Sequence, residues 1–137
     1  MPANPLAPSK IGTDRYIKAQ NIEIALTATA GGAQGGTPIT AQANRVDTCA
    51  SGADSITLPK IGAYADGSAQ LAPVGHIVFV RNAGAASCQV FGSTPDTINA
   101  AATGTGVAVA NTKSAIFVAL DYVPATNVGN WMMVLSA

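Results

Sequence analysis

His76-Ile77-Val78-Phe79-Val80-Arg81, followed by Asn82-Ala83-Gly84, is the stretch on which the fold turns. Four consecutive apolar residues, three of them β-branched, favour a strand. They are bounded by a turn signal, and the run is too short for an ordinary helix. Unbroken apolarity predicts burial on both faces. A second strong strand is expected over Ser114 to Tyr122, with Ile116, Val118 and Leu120 facing opposite to Phe117. On this reading Ile77, Phe79, Ile116, Val118 and Trp131 lie in or near one core.

Weaker strand signals extend outward on both sides. Downstream are Ser87 to Phe91, a turn at Ser93-Thr94-Pro95-Asp96, a rung at Thr97-Ile98-Asn99, Gly104 to Val109, and Trp131 to Leu135. Upstream, Ile39 to Ala50 carries two short runs, and Pro59 stops a strand over Ser55 to Leu58. Residues 60–74 are Gly- and Ala-rich and read as irregular, with Asp66-Gly67 as a turn. Ile22, Ile24 and Leu26 alternate with Glu23, Ala25 and Thr27, the period of a half-buried strand. No window carries helical spacing with caps, and Ala100-Ala101-Ala102 is too short to nucleate a helix. No strict internal repeat is evident. Short strands with turns every 8–12 residues predict an all-β fold: a small sandwich, jelly roll or barrel-like body with an extended N-terminal arm.

The organisation expected is an arm with the first strand over residues 1–30 and a β-rich body over residues 37–137. Pro2, Pro5 and Pro8 fix φ and remove donors, so residues 1–13 read as extended. Gly31 to Gly36, GGAQGG, reads as a flexible seam between the two.

The chain has 137 residues, seven Lys+Arg against seven Asp+Glu, and only 10% charged residues. No basic balance is present to hold a nucleic-acid backbone. With 48% hydrophobic residues the chain is expected to form a core rather than to be disordered as a whole, the N-terminal arm being either disordered or laid along a partner. No segment approaches the ~18 apolar residues of a membrane span, and no signal-peptide pattern opens the sequence. Synthesis in a cytosol is therefore expected. A surface this poor in charge suits a subunit packed against copies of itself or a scaffold.

Reactive constellations are missing. His76 is the single His and has no nucleophile motif to serve, so it reads as a strand-end residue. The acids are Asp14, Glu23, Asp47, Asp54, Asp66, Asp96 and Asp121. They are scattered, and Asp54, Asp66 and Asp96 read as turn residues bonding their own backbone. Gly104-Thr105-Gly106 lacks the Lys and further Gly of a phosphate loop. Cys49 and Cys88 with one His are too few for a zinc site and read as buried free thiols, a disulfide being open to them only in an oxidising medium. Tyr16, Tyr64, Tyr122 and Trp131 read as packing residues rather than a sugar platform. No enzymatic activity, cofactor or metal is expected.

An ordered series covers about three quarters of the chain. It comprises Thr37-Pro38-Ile39-Thr40, Arg45-Val46-Asp47-Thr48, Ser55-Ile56-Thr57-Leu58-Pro59, Ile77 to Gly84, Gln89-Val90-Phe91-Gly92, Asp96 to Ala100, Lys113 to Val118, and Trp131. This series resembles a small β-rich module of tailed-bacteriophage structural proteins. The resemblance implies a virion structural protein, foremost a capsid decoration or cement protein that binds the major capsid protein and stabilises the head shell. It implies a homo-oligomer, a trimer by analogy, on the capsid surface, made in the bacterial host cytoplasm. The alternative is a tail or fibre component binding a host surface glycan or receptor. Neither nucleic acid nor membrane is an expected partner. Pro2, Pro5, Leu6, Pro8, Ile11 and Tyr16 in the arm are the expected capsid contacts.

Overall fold

Parallel ladders, which no short-range pattern in the sequence announces, dominate the architecture. The computed structural model describes residues 21–62 and 71–137. Twelve strands and no helix appear among them. In chain order they are β1 (Ile22–Thr27), β2 (Thr37–Pro38), β3 (Ala43–Thr48), β4 (Ser55–Thr57), β5 (Lys60–Ile61), β6 (Leu71–Ala72), β7 (Ile77–Asn82), β8 (Cys88–Phe91), β9 (Thr97–Ile98), β10 (Val107–Val109), β11 (Ser114–Val123) and β12 (Val128–Leu135). A larger sheet runs β1-β3-β7-β11-β12-β9 and a smaller one β10-β8-β4-β2, with β5 and β6 paired separately. The fold is all-β, in two mixed sheets.

Successive strands switch sheets. β1, β3 and β7 stack parallel in the larger sheet, and β2, β4 and β8 stack parallel in the smaller one. The chain therefore coils, each turn laying one strand in each sheet. In the larger sheet 21 positions separate the partners Ile22 and Ala43, and 36 separate Ala43 and Phe79. In the smaller sheet Thr37 to Ile56 is 19 positions and Ser55 to Gln89 is 34. Both second steps are longer by 15 positions, so a single excursion between β4 and β7, carrying β5 and β6, accounts for both. The chain repeats in space without repeating in sequence. β10 and β11 then reverse direction against β8 and β7, and β12 returns beside β11. The turn at Asn82-Ala83-Gly84 leads into the other sheet rather than closing a hairpin.

The two sheets share one core. Leu26, Val46, Val78, Val80, Phe117 and Trp131 from the larger sheet meet Ile56, Cys88, Val90 and Val109 from the smaller. This corrects the expected core. Trp131 is buried, but Ile77 and Ile116 are each 37% exposed, Phe79 is 44% exposed and Val118 is half-buried. The strand over 77–82 alternates out and in instead of being buried on both faces. Apolar residues occupy both phases of β7 and β11, so periodicity gives no inward direction. The adopted phase sets small Ala119 opposite Trp131 and Val78 opposite Phe117, which leaves room for both large rings.

β1 also departs from simple alternation. Ala25 has a φ of 63°, and the register shifts between Glu23 and Leu26. This bulge buries Leu26 while leaving Ile22 and Ile24 exposed. β1 pairs with β3, within the body's own larger sheet.

The loop of residues 31–36 lies along the outer side of the smaller sheet instead of swinging free. Ser55 Oγ donates to Ala33 O at 3.1 Å, Gly35 N donates to Thr57 Oγ1 at 3.2 Å, and Gln34 Nε2 donates to Gly92 O at 2.8 Å. Its glycines serve close approach: a Cβ on Gly36 would stand 2.6 Å from the Ser55 carbonyl oxygen, and one on Gly32 would meet the Ala53 backbone. As a result Ser55, Ile56 and Thr57 are all buried.

Candidate functional site

The outer face of the larger sheet is apolar, and no segment among the described residues is laid over it. Register aligns Ile22, Ala43, Phe79, Ile116 and Val134 in one row across five adjacent strands. A second row beside it carries Ile77, Val118 and Met132. Register partners share a face, so both rows point away from the core. Ile22, Ile77, Phe79, Ile116, Met132 and Val134 are all exposed. Between the side chains of the first row and its neighbours lies an open groove of about 460 Å³.

Polar residues border the groove on one side only. Arg45 and Arg81 are register partners in the next row, followed by Ser114. Arg45 is tied to Asp47 by two bonds, Nε to Oδ1 at 2.6 Å and Nη2 to Oδ2 at 2.8 Å. That paired guanidinium holds the Asp47 carboxyl below its ordinary range. Glu23 also lines the groove. Beneath it, Asn44 is buried and its Nδ2 donates to Ala41 O at 2.8 Å and Phe79 O at 3.2 Å, fixing β3 against β7.

Groups with chemical potential elsewhere are committed to structure. Asp96 was expected to bond its own turn. Its carboxylate instead accepts from Lys60 Nζ at 2.6 Å, Ile61 N at 2.7 Å and Gly129 N at 2.8 Å. The buried charge ties the β5 segment to β12, its partners lying more than thirty positions away on either side. Asp54 does bond its own turn, Oδ2 accepting from Ala50 N and Ser51 N. His76 stands at the start of β7 with its ring edge-on to Trp131, centroids 6.5 Å apart, and burial lowers its pKa.

Cys49 and Cys88 are free, buried thiols. Cys49 Sγ donates to Ser87 O at 3.1 Å. Burial, reinforced by the neighbouring Cys49, pushes Cys88 up to about 12, which makes a poor nucleophile at neutral pH. Among the described residues no three His, Cys, Asp or Glu side chains gather as a metal set. Lys60 Nζ lies 5.2 Å from the Tyr122 ring centroid, while Trp131 is sealed in the core. Tyr122 and Trp131 therefore form no shared stacking platform.

The arm residues Pro2, Pro5, Leu6, Pro8, Ile11 and Tyr16 lie outside the described residues, as do Asp14, Tyr64 and Asp66. The exposed face was missed from the sequence because its residues were assigned to the core. One signal pointed to it: Arg81 shares the phase of Ile77 and Phe79, and a charged residue marks the solvent side. No protein-family model, curated protein or solved structure matches this chain.

Proposed function

We propose that this chain is a structural protein of a tailed-bacteriophage virion, acting as a capsid decoration protein that binds the major capsid protein and stabilises the head shell. The observation that carries the reading is the apolar outer face of the larger sheet, left uncovered among the described residues and suited to protein contact. The phage assignment draws its support from the ordered sequence series. Its stretches fall on β2, β3, β4, β7, β8, β9, β11 and β12, so the series traces the framework of the fold. Cementing would act by removing apolar area from water at ~25 cal/mol per Å², less the cost of association. The protein works as a homo-oligomer, three copies being the symmetry the resemblance implies, with residues 1–13 reaching the capsid subunits.

The test is decoration of purified heads that lack the protein. Binding at hundreds of copies per particle, counted by gel densitometry against the major capsid protein, is the expected result, together with heads that resist heating better. Deleting residues 1–12 should sharply reduce that binding. A few copies per particle, located on the tail, would overturn the capsid reading in favour of a tail component.

A further inference from the structure

We infer that the outer face of the larger sheet is the surface through which copies of this chain pack against one another. The inference concerns self-association of a different form from the three copies invoked above, since a face packed on its own copy closes as a two-fold pair, and it does not depend on the capsid as the partner.

Area is the first support. Five strands spaced about 4.8 Å apart, over six residues rising about 3.3 Å each, give a face of roughly 24 by 20 Å. About two thirds of it, roughly 300 Å², is apolar, the rest being the row of Arg45, Arg81 and Ser114, so the patch matches in size the largest that solitary proteins leave open. With the polar row included, two such faces bury roughly 1,000 Å² together, the threshold for a specific interface.

Charge is the second. The chain has seven Lys+Arg and seven Asp+Glu, and the groove's border carries both signs in Glu23, Arg81 and the Arg45–Asp47 pair. A nucleic acid or an acidic membrane would be met by a one-signed positive field. A mixed border over a neutral chain is compatible with its own copy, Glu23 of one face offering a partner for Arg81 of the other.

The sheet edges supply the third. β1, at one edge, is bent by the bulge at Ala25. β9, at the other, is two residues long. Bulged and short edges resist strand addition, so both edges of the larger sheet disfavour association edge to edge and favour its face. Phe79 and Ile116, register partners on the adjacent central strands β7 and β11, sit in the middle of that face, where contacts matter most.

Light scattering on the purified full-length chain, without capsids, tests this. At tens of micromolar the expected mass is that of two chains of 13.6 kDa each. Phe79→Lys should bring it to that of a single chain, with the association weakened at least tenfold. Ile116→Thr, which keeps a strand-favouring β-branched residue, should weaken it in the same direction. Unchanged far-ultraviolet circular dichroism and a cooperative melt show that each variant still folds.

A single-chain mass for the parent overturns the inference. If that monomer binds no apolar dye, the chain's own residues 1–20 cover the face; if it binds dye strongly, a different protein does. Variants that assemble as the parent does overturn it as well. A monomer that still decorates heads leaves the capsid reading standing. A multimer that does not decorate them leaves only the present inference.

Discussion

The two sheets treat their outer faces in opposite ways. The smaller sheet is covered by the chain's own loop, residues 31–36, whose backbone and Gln34 side chain satisfy polar groups on and beside it. The larger sheet presents Phe79, Ile116 and Val134 to solvent with no segment among the described residues laid over them. A face that could be sealed internally is lined with small hydroxyls, Ser55 and Thr57, and approached by glycines. A face left open is lined with large apolar side chains. Finish within the subunit and contact beyond it thus leave different chemistry on two surfaces of the same core.

The contrast between the faces of the larger sheet breaks most directly with two phenylalanines. Phe117→Ala, inside, should cost ~3–5 kcal/mol. Phe79→Ala, outside, should cost under ~1 kcal/mol at concentrations low enough to keep copies apart. Urea denaturation of both variants measures the difference, and equal losses would mean the phase of β7 and β11 is wrong. The cover over the smaller sheet is probed by Gly36→Ala. A Cβ there would stand 2.6 Å from the Ser55 carbonyl oxygen, and the overpacking should cost ~1–3 kcal/mol. No loss would show the loop to be loosely held.

A gentler probe of the same cover is Thr57→Val, which removes the acceptor of Gly35 N. We expect ~0.5–1.5 kcal/mol, together with faster amide exchange at Gly35. The smallest effect concerns His76, at the start of β7 against Trp131. Burial lowers its pKa in the folded state, so the unfolded chain binds the proton more readily. Its contribution is fully present above the ordinary value of about 6.5 and is lost as pH falls below it. Denaturant midpoints at pH 7.5 and pH 5 should show this decline, and His76→Gln should flatten it.

Strand positions were legible because β-branched residues, prolines and turn residues act locally. Pro59 after β4 and Asn82-Ala83-Gly84 at the end of β7 mark ends that the fold observes. Strand direction was not legible, since Ala43 finds Phe79 across 36 positions and nothing near either residue records the pairing. Asp96 misled for the same reason: its turn is local, but its carboxylate serves Ile61 and Gly129. The inward phase of β7 was hidden by a buried amide. Asn82 lies on the same side as Val78 and Val80, donating from Nδ2 to Ala86 O and Val109 O, both at 2.8 Å. A polar residue inside and apolar ones outside inverted the usual signal, and Arg81 alone pointed the right way.

The coiled path of β1 through β8 also sets a timetable for folding. Parallel neighbours 21 and 36 positions apart cannot meet by closing a tight turn, and such distant pairings make for slow folding. During synthesis β1 waits for β3, and β3 for β7. The inner face of β11 meets Trp131 only when β12, the last strand described, has emerged. Until then Val78 and Val80 of β7 lack the Phe117 and Trp131 part of their core. The nascent chain carries that unfinished inner face, a hazard for aggregation, until the late β11–β12 hairpin closes it, while Phe79 stays exposed in the finished fold.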